Sequence, residues 1–262
     1  MFTGNYGFFD YKKNIAGYTG QDYGAFPQYL YLAISVVLLT GLLIAFRKTP
    51  KEKVRRFLGA LGIFMTLLYI VKTAWESFYD VRFNGSFNFW LMPFDTCSVI
   101  MPAAILAGFA RGRVQRAAEC WIATGGIVGG FATMLFLNAF KFYPFLSFGA
   151  FYSMLWHFLM VFAGLLVLVT ERPPVRFSIV TNGFLFHAAA SVIVIPIDFI
   201  WGFDFMLYRD LSGVPFFEGV ASRLSGAGLG YLNPVLMLIL YFAVFCVIFL
   251  IAAGIKNRKR AK

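Results

Sequence analysis

Seven long apolar runs, punctuated by clusters of positive charge, constrain this chain more than any other feature of its 262 residues. A helix rises 1.5 Å per residue, so about 20 apolar residues cross a hydrocarbon core roughly 30 Å thick. Runs at 28–46, 57–78, 91–110, 117–138, 149–170, 177–201 and 233–255 meet or approach that length with very little charge. Only 13% of the residues are charged and the mean hydropathy is +0.74, which excludes an ordinary soluble domain of this size. The expected fold class is all-α, a polytopic membrane helix bundle of about seven transmembrane helices.

The net charge of +11 invites a nucleic-acid reading, and its distribution argues against one. Arg47, Lys48, Lys51, Lys53, Arg55 and Arg56 follow the first run; Arg111, Arg113 and Arg116 follow the third; Arg172 and Arg176 follow the fifth. Lys256, Arg258, Lys259, Arg260 and Lys262 close the chain. These clusters fall on one side of the membrane and hold 16 of the 23 basic residues. The positive-inside bias makes that side the cytoplasm, so the N-terminus is expected outside and the C-terminus inside. The basic residues then meet anionic headgroups of membrane phospholipids, and no nucleic-acid partner is expected.

The first 27 residues lack the basic flank and short apolar core of a signal peptide. The expected organisation is an extracytoplasmic segment at 1–27, a single transmembrane domain at 28–255 and a basic cytoplasmic tail at 256–262, in a multi-pass protein of the cell membrane. No repeat marks a second unit, and nothing in the sequence specifies an oligomeric state. Cys97, Cys120 and Cys246 all lie within runs at different depths, a poor basis for a disulfide framework. With two histidines and no Cys/His spacing suited to zinc, no metal and no cofactor is expected.

Ionisable groups inside a span cost about 2.5–3.5 kcal/mol near its centre, so each asks for a partner or a task. Lys72 and Glu76 are four apart on one helix face, able to pair with each other or to meet a lipid headgroup. In Pro93-Phe94-Asp95-Thr96-Cys97-Ser98, Pro93 suits the first turn of a helix and Asp95 then sits where the helix dipole favours a carboxylate. Cys97, two residues on, points away from Asp95. It is either an inert small residue or a nucleophile that needs a base. Counted from the outer ends, Cys97 and His157 lie roughly 9 and 12 Å deep, so they can meet laterally. His157 otherwise reads as an interhelical hydrogen-bonder. Asn182, His187 and Asp198 add polar groups to the sixth run. Gly125, Gly126, Gly129 and Gly130 form two overlapping G-x-x-x-G pairs, for close packing or for a smooth groove. Pro102 and Pro196 are expected to kink their helices.

These residues carry a resemblance. Trp75-Glu76, Leu91-Met92-Pro93-Phe94-Asp95-Thr96-Cys97-Ser98, the glycine-rich fourth run leading to Tyr143-Pro144, Trp156-His157-Phe158-Leu159, Gly202-Phe203-Asp204-Phe205-Met206-Leu207-Tyr208 and Gly213-Val214-Pro215 resemble the YwaF-type bacterial membrane proteins. Those are related to the eukaryotic transmembrane acyltransferases that remodel ether phospholipids. The resemblance implies a Cys97 nucleophile with His157 as its partner, passing a fatty acyl group between lipids through a thioester. One position departs from the family pattern L-P-x-H-x-C, since Asp95 stands where a histidine is usual. Thr96, Ser98 and Asn138 are candidate oxyanion donors. Lys72, Glu76 and Asp198 complete a candidate substrate site. The competing expectation is a transporter or a non-catalytic lipid-binding protein built on Lys72, Glu76, His187 and Asp198.

Overall fold

The computed structural model describes residues 6–11, 26–135, 143–211 and 218–260. Its helices are α1 Phe26–Phe46, α2 Lys51–Asn84, α3 Ile100–Phe109, α4 Gly112–Trp121, α5 Ile127–Leu135, α6 Phe148–Val169, α7 Ser178–Trp201, α8 Glu218–Gly226 and α9 Asn233–Arg260. Among the described residues, seven segments are long and apolar enough to cross a membrane. Each overlaps one of the expected runs. α4 and α5 form one span, joined by a π turn at Ile122–Gly126, and α8 is a short helix outside the bundle core.

Local chemistry sets the boundaries. α2 starts six residues earlier than the apolar run because Pro50, at φ −56° and ψ 140°, caps it and Glu52 sits in its first turn. It ends at Gly85, which takes the left-handed conformation (φ 72°) while its N–H donates to the Val81 carbonyl. Its 34 residues span about 50 Å, so α2 overhangs the hydrocarbon at both ends. Ser147 caps α6, its hydroxyl accepting from the Ala150 N–H at 3.3 Å.

The third span departs from a regular helix. Residues 89–91 and 96–99 are separate 3₁₀ turns, and α3 begins only at Ile100. Asp95 is therefore not in a first α-turn: it precedes the second 3₁₀ turn in an extended conformation (φ −65°, ψ 150°), and its side chain makes no cap bond. The cause is Pro93, which forces Met92 into an extended conformation (ψ 147°). Pro102 is the third residue of α3, where its missing N–H lacks a helical partner anyway, so it starts the helix instead of kinking it. Pro196 lies inside α7 as expected.

Glycines set how closely the spans approach. A Cβ on Gly108 would lie 2.3 Å from the Gly59 Cα, and one on Gly62 would lie 2.6 Å from the Ile105 nitrogen, so α2 and α3 touch backbone to backbone. Gly130 meets the His157 carbonyl in the same way, Gly164 meets Ile127 and the Ile122 carbonyl, and Gly183 meets Cys120 and Thr124. The G-x-x-x-G pairs thus pack helices, with α4–α5 the most buried span and α1 and α9 the most lipid-exposed. The π turn belongs to this packing: the Thr124 hydroxyl donates to the Cys120 carbonyl at 2.9 Å and helps satisfy the widened backbone.

At the basic end, ion pairs and backbone carbonyls hold the loops. Arg172 pairs with Glu119 at 2.7 Å and donates to the Lys51 carbonyl at 2.5 Å, while Arg55 donates to the Gly108 carbonyl at 2.9 Å. At the other end, residues 6–11 lie across α2 and α6. Trp75 and Tyr79 donate to the Phe9 carbonyl, the Phe148 N–H donates to the Phe8 carbonyl, and the rings of Phe8, Phe9, Trp75 and Phe148 pack edge to face.

Gly108→Ala should separate α2 from α3 and cost about 1–3 kcal/mol, the usual penalty for overpacking. Gly41→Ala, with nothing within 4 Å of its new Cβ, should be neutral or slightly stabilising. Thermal unfolding in detergent micelles distinguishes the two.

Candidate functional site

An irregular backbone inside a membrane span must be satisfied by protein groups, because lipid offers none. The segment from Trp90 to Val99 obtains backbone partners from two other spans and a side-chain tie from a third. Tyr69 of α2 donates to the Leu91 carbonyl at 2.5 Å, and Trp156 of α6 donates to the Cys97 carbonyl at 3.3 Å. The Thr96 hydroxyl shares a 2.6 Å hydrogen bond with the Tyr241 hydroxyl of α9. This grip fixes where Asp95, Thr96, Cys97 and Ser98 stand.

Cys97 is half-buried and its sulfur faces α5. A Cβ on Gly129 would lie 3.7 Å from Sγ, so the glycine leaves ordinary contact space in front of the thiol. Thr133, one turn further along α5, donates its hydroxyl to the Gly129 carbonyl at 3.1 Å. His157 approaches the same stretch of α5, its carbonyl against Gly130. Its Nδ1 lies 2.7 Å from the Ser153 carbonyl. A carbonyl only accepts, so Nδ1 carries the proton and Nε2 keeps a free lone pair. No hydrogen bond joins Cys97 to His157 among the described residues.

The charged residues gather in a second group. Lys72 Nζ and Glu76 Oε2 are 2.5 Å apart and both side chains are largely buried, so the expected i,i+4 pair forms. Tyr143 donates to the other Glu76 oxygen at 2.6 Å, and Lys72 lies over the Tyr152 ring at 5.7 Å. Burial, and then the Glu76 charge, hold the Tyr143 phenol well above its ordinary range. It stays a donor. Asp80, one turn beyond Glu76, is fully buried and extends the same face. Asp95 retains solvent-accessible surface. Ser98 is buried and lines an apolar slot of about 390 Å³ between α3 and α7, with Pro93, Pro102, Phe186, Ala190 and Ile193 among its walls.

Asp198 and His187 have structural employment. Asp198 Oδ1 accepts from the Phe205 N–H at 3.1 Å and anchors the loop that follows α7. That loop turns at Gly202 (φ 77°) and carries Tyr208 back into the bundle. Around His187 the hydrogen bonds run in one direction. Trp121 Nε1, a donor only, gives its hydrogen to Nδ1 at 3.4 Å, so Nε2 carries the ring proton and donates to the Tyr208 oxygen at 3.4 Å. Tyr208 then donates to Ser191 at 2.5 Å, and Ser191 to the His187 carbonyl at 2.9 Å. Burial pushes the Tyr208 phenol up to about 12, so it keeps its proton.

Of the expected site residues, Lys72 and Glu76 are in contact, while Thr96, Cys97 and Ser98 stand on one held segment with Asp95 at its edge. Asn138 lies outside the described residues, as does Gly213-Val214-Pro215. Among the described residues, no three of His, Cys, Asp and Glu converge as a metal site would require. Tyr143, Tyr241, Thr133, Trp156 and Asp80 were missed by reading the sequence. Only Asp80 left a signal there, its i,i+4 spacing from Glu76.

Among the described residues, seven apolar spans, the third of which opens into an irregular polar segment, define a multi-pass membrane protein. The chain belongs to the TMEM164 family, whose model matches residues 18–253. Comparison with curated proteins and with solved structures gave no match.

Thr96→Val or Tyr241→Phe alone should cost about 1–3 kcal/mol by leaving one buried hydroxyl without its partner. The double variant should recover part of that loss. A double-mutant cycle on unfolding in micelles should give a coupling of about 0.5–3 kcal/mol; strict additivity would dissolve the proposed grip.

Proposed function

We propose that this protein transfers fatty acyl groups between membrane lipids through a thioester on Cys97. The observation that carries the reading is the placement of Cys97: a thiol on a backbone held by three spans, facing a glycine, one residue from a buried serine that lines an apolar slot. An acyl-transfer site needs a fixed nucleophile, space beside it and an apolar channel for the chain. The resemblance of residues 91–98 and 156–159 to the YwaF-type proteins and the ether-phospholipid acyltransferases supports the same chemistry.

His157 Nε2 takes the thiol proton as the sulfur attacks an ester carbonyl of the donor lipid, and Thr96, Ser98 and Asn138 supply donors for the oxyanion. The tetrahedral intermediate collapses, the C–O bond breaks, and the departing lysolipid oxygen takes the proton back from His157. An acceptor hydroxyl then attacks the thioester, its proton passing through His157 to the regenerated thiol. For the first step the thiol turns from Gly129 toward the imidazole. Lys72, oriented by Glu76, attracts the lipid phosphate, and Asp95 faces a cationic headgroup or orients a partner. Asp198 shapes the site through the loop it anchors. In this reading the basic end is cytoplasmic and the site opens toward the outer leaflet of the cell membrane.

Transport, or lipid binding without catalysis, is the alternative. It drew on Lys72, Glu76, His187 and Asp198, and the two of these in α7 are occupied by a closed hydrogen-bond circuit and a loop anchor. That occupation favours acyl transfer.

In proteoliposomes with a labelled-acyl phospholipid and a lysophospholipid acceptor, Cys97→Ala should abolish transfer and the thioester adduct seen by mass spectrometry. His157→Gln, which retains an amide donor for the Ser153 carbonyl, should slow transfer about 10²- to 10⁴-fold, the weight of a general base. Unchanged transfer by Cys97→Ala protein would remove the nucleophile from this scheme.

A further inference from the structure

A second slot of about 410 Å³ lies between α5, α6 and α9 and reaches the basic end of the bundle. Ile127 and Phe131 of α5, Leu165 and Leu168 of α6, and Ile248 and Ile251 of α9 form its walls. The walls are apolar and lie within spans, so the slot faces hydrocarbon along its length. Its mouth is different. Glu171, just past the end of α6, and Lys256, near the end of α9, both line it and pair at 2.7 Å.

We propose that this slot binds one acyl chain of a glycerophospholipid whose headgroup carries both a phosphate and a primary amine. A slot of apolar side chains between spans has no polar group to hold water, so its natural occupant in a bilayer is a lipid chain. The chain's headgroup then sits at the mouth, where the two charges select it. Lys256 matches the phosphate and Glu171 matches the ammonium, so the headgroup exchanges one ion pair for two. A pair with 21% and 47% of its side chains exposed opens at little cost. A purely anionic headgroup would bring its phosphate to Lys256 but leave Glu171 facing negative charge. A quaternary choline headgroup cannot donate hydrogen bonds to the carboxylate. The carboxylate is well placed to discriminate: Glu171 is held in a tight turn (φ 50°), with its N–H donating to the Leu168 carbonyl and that of Arg172 to Val167.

The bound lipid fills space between α9, one of the two least buried spans, and the α5–α6 pair, making it a structural ligand of that seam. The proposal is independent of acyl transfer by Cys97.

The test is native mass spectrometry of the full chain released from nanodiscs containing equal parts phosphatidylethanolamine, phosphatidylcholine and phosphatidylglycerol. One phosphatidylethanolamine should be retained in preference to the other two. Glu171→Gln should erase the preference for ethanolamine over choline, and Lys256→Gln should lower retention of both about fivefold, the weight of one lysine contact at a lipid surface. Ile251→Trp should block the slot and remove the bound lipid, with thermal unfolding confirming that the variant is folded. Preferential retention of phosphatidylglycerol, or an ethanolamine preference that survives Glu171→Gln, would overturn the proposal.

Discussion

Hydrocarbon offers no partner to an unpaired N–H or C=O, and that constraint governs this protein most where it is hardest to meet. Six of its spans satisfy their backbones largely by helical bonding. The third does not, because Pro93 and the extended residues around it delay α3 until Ile100. The phenol of Tyr69 and the indole of Trp156 donate to two of its carbonyls, and the hydroxyl pair of Thr96 and Tyr241 ties one of its side chains to α9. The segment that carries Cys97 is thereby held without a regular α-helix. This clamp sets the sulfur of Cys97 against Gly129 of α5.

Close helix approach makes the clamp possible. Hydrogen bonds between spans need short reach, and glycines at 59, 62, 108, 130, 164 and 183 remove the side chains that would hold the backbones apart. Gly129 serves a second purpose, giving the Cys97 sulfur open contact where any other residue would place a side chain. Packing and chemistry share one helix face. That face follows a π turn, whose extra residue per turn changes the direction of everything beyond it.

The spans were legible because hydropathy is summed over about 20 residues and tolerates local error. Lys72, Glu76, Asp95 and Cys97 were legible because polar groups in lipid are costly and few. Their environments were not. Tyr143, Tyr241 and Trp156 look in the sequence like any membrane aromatic, and only the partner of the hydroxyl or indole, 59 to 145 positions away, separates a clamp from a lipid-facing ring. His187 and Asp198 drew attention for the right physical reason, since buried polar groups require partners. Those partners proved to be an indole, a phenol and a backbone N–H, which no spacing rule predicts. Pro102 misled because its effect depends on where α3 starts.

The tie between Thr96 and Tyr241 also orders events during biosynthesis. Cys97 emerges from the ribosome well before Tyr241, because α9 follows the other helices that surround the segment. Until α9 inserts, the held segment lacks one of its three supports and His187 lacks the ring that packs against it at 4.0 Å. The segment is therefore not fully held until α9 is in the membrane, so a nascent protein that lacks α9 carries Cys97 in the bilayer before its surroundings are assembled.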